Sequence, residues 1–175
     1  MPARLVLLRC RGHPNVQLAH ASTLELEAGE RLTIRGDCVA CVACRGPLGE
    51  VEEAASRRGL AKLFIAAWHP WPPRVEAAVV DGLSPAERPQ GRLVVRRSCH
   101  RRGSVMVAAS ASASTLPRGL ASLLSSGYSV CYALLVYYTP QGAEAEVDAV
   151  YEAAGCVVED AEGRGQGPGP AGETL

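Results

Sequence analysis

Hydrophobic and polar positions alternate from Asn15 to Glu27. Val16, Leu18, His20, Ser22, Leu24 and Leu26 fall on one face, and Asn15, Gln17, Ala19, Ala21, Thr23, Glu25 and Glu27 on the other. A period of two predicts a half-buried strand. Ala28-Gly29-Glu30 reads as a tight connection, Arg31 to about Arg35 as a second strand and Cys38 to Cys44 as a third. Gly36-Asp37, between the last two, suits a hairpin turn or a bulge.

The same reading carries along the chain. Leu5-Leu8 is a short apolar strand. Glu50 to Arg58 reads as a helix, acidic in its first turn, with Arg57-Arg58 in its last and Gly59 as its stop. Further strands are expected at Leu63 to Trp68, Arg74 to Gly82, Arg92 to Arg97, Ser104 to Ala109 and Ser129 to Tyr138. His69-Pro70-Trp71-Pro72-Pro73 is expected to be irregular, because proline offers no N–H to a ladder. Thr115 reads as the N-cap of a helix through Leu124. A last helix, Ala143 to Ala154, places Val147, Val150, Tyr151 and Ala154 on one face and stops at Gly155.

Strands outnumber helices, so the class is α+β: a mostly antiparallel sheet or open β-barrel with two or three covering helices. Arg35-Gly36-Asp37-Cys38 with its strand and helix is echoed by Arg97-Ser98-Cys99 with its own, which points to two pseudo-repeated β-β-α halves. Residues 1–158 read as a single globular domain, with halves 1–73 and 74–158. Residues 159–175, rich in Gly, Pro and Glu, read as a disordered tail.

Charge changes the picture only locally. There are 18 basic and 18 acidic residues, so no global field draws in nucleic acid. All basic residues but Lys62 are arginine, a side chain suited to bidentate recognition of phosphate or carboxylate. No apolar run is long enough for a membrane span or a signal-peptide core, so a cytoplasmic location is expected.

Cys38, Cys41 and Cys44 form CxxCxxC. On an alternating strand Cys38 and Cys44 face one way and Cys41 the other, and no second ligand pair completes a site. They are expected to be small buried hydrophobes and not metal ligands. Disulfides of these residues with Cys10, Cys99, Cys131 or Cys156 stay open. No nucleophile elbow, P-loop or dinucleotide fingerprint occurs, so no cofactor is implied.

Two stretches could carry chemistry. Arg96, Arg97, His100, Arg101 and Arg102 crowd one loop, where guanidiniums could clamp an anionic ligand, nucleic acid or a phosphorylated metabolite. The bland alternative is a solvated loop, or one paired with the acidic residues at Glu50-Glu53. The second stretch offers His13, His20, Glu25, Asp37 and Cys38 as acid, base or nucleophile of a small enzyme. For His20 the bland alternative is a core histidine bonded to a neighbour such as Ser22. Trp68 and Trp71 in the proline stretch are expected to pack on the core, the alternative being a surface for a protein partner within a larger assembly.

The chain also resembles a known family. Gly12-His13-x-Asn15, His20-x-Ser22-Thr23-x-Glu25 and Leu32-Thr33-x-x-Gly36-Asp37-Cys38 look like the archaeal family called domain of unknown function 371. Val95-Arg96-Arg97-Ser98 and Leu116-Pro117-Arg118-x-Leu120 resemble its second half, so the likeness runs from about residue 5 to about residue 138. The family pattern has Ala-Asp-Lys after each of two strands, where this chain reads Ala43-Cys44-Arg45 and Ala109-Ser110-Ala111. The resemblance implies an archaeal cytosolic protein and no established activity.

Overall fold

The computed structural model describes residues 3–33 and 36–156. The expected tail, 159–175, lies outside them, as does the end of the strand expected at Arg31 to Arg35; Arg31 to Thr33 are not in a strand. The described residues form eight strands: β1 (Arg4–Arg11), β2 (Thr23–Leu26), β3 (Val39–Arg45), β4 (Leu60–Pro70), β5 (Pro73–Leu83), β6 (Leu93–Arg96), β7 (Ser104–Met106) and β8 (Val130–Tyr138). The helices are α1 (Leu48–Ala55), α2 (Arg118–Leu124) and α3 (Glu144–Ala153), with a 3-10 turn at Ala113–Thr115. None of these helices is long and apolar enough to cross a membrane.

The strands form one sheet in the order β5-β4-β8-β1-β3-β2-β6-β7. Only β2–β3 and β6–β7 are parallel, so the α+β, mostly antiparallel expectation holds. The sheet does not close, but its two edges touch at one bridge, where Leu83 and Val107 exchange both backbone hydrogen bonds at 2.9 Å. Each half of the chain repeats one scheme. The parallel pair β2–β3 matches β6–β7, β1–β8 matches β5–β4, and β1–β3 matches the Leu83–Val107 bridge. The pairs β2–β6 and β4–β8 lie on the axis between the halves. One apolar core runs through both, from Val6 and Leu8 to Leu63, Ile65, Leu120 and Leu135. Helix α1 packs on β1, β7 and β8, and α2 on β3, β4 and β5.

Several expectations are corrected. The alternation at Asn15 to Glu27 survives as burial, since Val16, Leu18, Leu24 and Leu26 are all buried, but only Thr23–Leu26 is a strand. Leu18 takes a positive φ of 52°, and the N–H groups of Ala19 and His20 both donate to the Asp37 carbonyl, so this backbone cannot join a ladder. Helix α1 starts two residues earlier than expected and ends at Ala55, leaving Arg57 and Arg58 beyond it. Thr115 does not cap α2, whose N-cap is Pro117; its Oγ1 accepts from the Ser112 N–H at 2.9 Å.

The proline stretch is regular after all. Strand β4 runs on to Pro70 and pairs with Pro73 of β5 in a hairpin. Beyond Trp68 no β8 residue faces β4, so these prolines sit where a missing donor breaks no ladder. The tip does not pack on the core, because Trp71 is 81 % exposed. In α3, Val147 and Tyr151 are buried, whereas Val150 is exposed, as is Ala154 just past the helix.

Candidate functional site

Within the second stretch of candidate residues, His20 and the pair Glu25–Cys38 each have their own partners. His20 Nδ1 accepts from the Thr23 hydroxyl at 2.7 Å and from the N–H groups of Thr23 and Ser22 at 3.2 and 3.3 Å. Backbone donors fix Nδ1 as an acceptor, and Thr23 is its closest partner, with Ser22 farther off. Ser114 N–H donates to the His20 carbonyl at 3.1 Å, tying the 3-10 turn to this loop. Strand β2 lies parallel to β3, which brings Glu25 beside Cys38; the thiol donates to Glu25 Oε2 at 3.5 Å. Burial first, and then the Glu25 carboxylate, push the Cys38 thiol up to about 11. A thiol so held stays protonated at neutral pH, the opposite of an activated nucleophile.

His13 stands apart. Its Nδ1 accepts from Asn15 N–H at 3.0 Å and its own N–H donates to Leu124 O at 2.9 Å. Among the described residues no hydrogen bond links it to His20, Glu25, Asp37 or Cys38. The chain can pass here only because residue 12 is glycine: a Cβ would meet Ser126 O at 2.2 Å and Leu124 O at 2.6 Å.

The arginine loop borders the His20 group, since Arg96 faces Thr23 across β6–β2 and Arg97 N–H donates to Ser22 O at 3.0 Å. Two of its guanidiniums serve the protein itself. Arg96 Nε donates to Ser104 Oγ at 3.1 Å, and Arg101 donates to the Cys156 carbonyl beside the Cys99–Cys156 disulfide. Arg97, His100 and Arg102 are exposed. The loop is not paired with the acidic helix: Glu53 lies at 2.8 Å from Arg57, and Glu52 at 3.2 Å from Arg88.

A different arginine group was not legible from local sequence. Arg9 and Arg11 alternate on the outward side of β1, and Arg9 is the direct cross-strand partner of Arg45 on β3. With Tyr128 and Ser129 they line a cleft of about 300 Å³. Arg45 is anchored to the carbonyls of Ala28 and Cys44, with Glu30 a loose 3.8 Å away. No carboxylate lines the cleft, and among the described residues Arg9 and Arg11 form no ion pair. The Ser129 hydroxyl, 1 % exposed, has no hydrogen-bond partner among them either. The only local signal is the row Leu5, Leu7, Arg9, Arg11, where an apolar strand face turns basic.

The second half holds the counterpart. Ala43 and Ala108, one residue past the matching pairs Arg11–Val42 and Leu83–Val107, both take positive φ, 54° and 48°. Arg9 and Arg45 therefore correspond to Asp81 and Ser110, which bond each other through Ser110 N–H at 2.7 Å and Ser110 Oγ at 3.0 Å. That cleft, about 310 Å³, has no arginine and is walled by Val150 and Ala154 of α3.

The turn at Ala43 also corrects the cysteine geometry. It breaks the alternation of β3, so Cys41 and Cys44 face the same way, with Sγ atoms 3.8 Å apart, and Cys10 Sγ lies within 4.8 Å of both. Cys10 and Cys44 form a disulfide, so neither is a thiolate donor for a metal. Cys41 is left beside Cys131; their mutual hydrogen bond and burial raise its thiol well above the ordinary value.

No curated protein matches the chain. The family model described as Domain of unknown function (DUF371) matches residues 8–137, from within β1 to within β8, and the chain belongs to that family.

Proposed function

We propose that this protein binds a phosphate-bearing anion in the cleft of Arg9, Arg11 and Arg45. One observation carries the reading: Arg9 stands directly across from Arg45. Like charges in directly opposed positions destabilise a sheet unless something neutralises them. An anion between the guanidiniums relieves that repulsion and gains charge-assisted hydrogen bonds. Tyr128, 81 % exposed, offers a ring on which a base can stack.

The anion class is the one expected for the Arg96–Arg102 loop, but the arginines differ. That loop spends Arg96 and Arg101 on internal hydrogen bonds. For the enzyme reading, Glu25 and Asp37 beside Cys38 both raise its pKa, which keeps the thiol protonated. Phosphate at millimolar level is expected to raise the melting temperature above that in chloride of equal ionic strength, and Arg9→Ala with Arg45→Ala to erase the difference. Loss of the difference in Arg101→Ala with Arg102→Ala instead would move the site to the loop. Mononucleotide and oligonucleotide titrations then separate a free nucleotide from single-stranded nucleic acid, the latter showing the steeper fall with salt.

A further inference from the structure

We infer that the Cys10–Cys44 disulfide locks the arginine cleft: intact, it holds Arg9, Arg11 and Arg45 in the arrangement that takes the anion, and its reduction by a dithiol releases them. The inference rests on the anion reading above and adds a redox control to it. The bond sits inside the site. Cys10 lies between Arg9 and Arg11 and lines the cleft, and Cys44 directly precedes Arg45. It therefore ties β1 to β3 where the like charges face each other. Hydrogen bonding between these two strands is sparse. Among the described residues they pair only at Arg9–Arg45 and Arg11–Val42, and the register slips between those two pairs. On its other side β1 keeps an unbroken ladder to β8 from Arg4 to Arg11. The N–H groups of Ala43 and Cys44 tie β3 to the carbonyls of Gly29 and Glu27 at 2.7 and 3.0 Å. The β1–β3 seam is thus thinly bonded between two better-tied neighbours.

The other half supplies an internal comparison. Asp81 and Ser110 stand there in the places of Arg9 and Arg45, and they attract each other through two hydrogen bonds. One residue along, Gly82 and Ala109 hold the places of Cys10 and Cys44, and neither can form a cross-link. The covalent tie belongs to the half whose facing residues repel. With the bond intact, the guanidiniums are already gathered when the anion arrives, which is preorganisation. Without it, the anion has to close the seam against their repulsion. Reduction breaks the S–S bond: the dithiol gives up two electrons and two protons and becomes a disulfide, while Cys10 and Cys44 become thiols. Both cysteines are buried, so a reductant reaches them only when the seam opens, and a bound anion holds the seam shut. By linkage the anion protects the disulfide by the same factor as the disulfide strengthens anion binding.

Calorimetric titration with inorganic phosphate compares the oxidised protein with Cys10→Ala plus Cys44→Ala, which leaves Cys99–Cys156 in place. Binding is expected to be ~10-fold or more weaker in the variant. A second measurement needs only the parent: titration with dithiothreitol, followed by alkylation and mass spectrometry at each cysteine. Saturating phosphate is expected to raise the dithiothreitol midpoint of Cys10–Cys44 ~10-fold over chloride of equal ionic strength and to leave that of Cys99–Cys156 unmoved. Equal phosphate affinity with and without the bond, or a Cys10–Cys44 midpoint that ignores phosphate in a parent that binds it, overturns the lock and leaves the anion site standing. An oxidised parent that does not respond to phosphate at all overturns both.

Discussion

Ala43 and Ala108 hold the same left-handed turn in the two halves of the protein, each one residue beyond the pairing that joins its strand to the neighbouring edge. The turn aims the residue two positions on, Arg45 in one half and Ser110 in the other, at the facing strand. The protein thus presents one frame twice and treats the copies differently: one is basic and open, the other neutral-to-acidic and walled by α3.

Substituting either partner of the opposed arginines separates repulsion from binding. In phosphate-free buffer of low salt, Arg9→Gln is expected to raise stability by a few tenths to ~1 kcal/mol, because it removes a like-charge pair and leaves the Arg45 hydrogen bonds to Ala28 and Cys44 in place. In phosphate the parent regains the lead. Urea midpoints in the two buffers check the crossing.

Cys38 is expected to resist alkylation at neutral pH. Its pKa is raised in the folded state to about 11, so the stability that its protonated form contributes is fully present below the ordinary value near 9 and is lost as pH rises through about 11. Iodoacetamide trapping followed by mass spectrometry should show modification rising only above about pH 10. Glu25→Gln removes the carboxylate beside the thiol and should move the rise to lower pH. Rapid labelling of the parent at pH 7 would contradict this.

Helix α3 lies beyond the residues that the family model matches and is tied to them by two devices. Cys99–Cys156 closes a 57-residue separation, and Tyr151 Oη accepts from Gly59 N–H at 3.2 Å while lying 2.5 Å from the Ser84 carbonyl. Gly155, with φ of 68°, ends the helix and turns the chain toward Cys156. Cys99→Ser with Cys156→Ser is expected to cost up to ~4 kcal/mol. Tyr151→Phe should cost ~1–3 kcal/mol. Chemical denaturation reads both.

Gly12→Ala should be among the most damaging single-methyl additions in the chain. Its Cβ would lie 2.2 Å from one carbonyl oxygen and 2.6 Å from another, both backbone atoms at the end of α2. A cost of ~3 kcal/mol or more is expected. The Gly49→Ala variant, where a Cβ meets nothing, should by contrast be neutral or stabilising, and thermal melts of the pair test the difference.

How much could be read from sequence depends on the range of the interaction. The long strands were legible because their inward residues repeat every second position. The break at Leu18 was not, since its cause is the Asp37 carbonyl, many residues on, which captures two N–H groups. Nor was the shared side of Cys41 and Cys44, because no local rule puts a non-glycine such as Ala43 in a left-handed turn. The arginine cleft escaped for a plainer reason. Arg9 and Arg45 meet only through the register of β1 on β3, whereas Arg96 to Arg102 are neighbours in sequence and draw the eye.

The pairing scheme also governs how the chain must assemble. Within the first half only β1–β3 and β2–β3 are joined; β1–β8, β2–β6, β4–β5 and β4–β8 all cross to the second half. Neither half holds a complete set of neighbours for its own strands, so β4 made early in synthesis waits for β8 before it is flanked. Contacts this distant in sequence make for slow, all-or-none folding. They also mean that a cut at the exposed Trp71 tip would leave two fragments with little structure alone and a mutual fit when mixed.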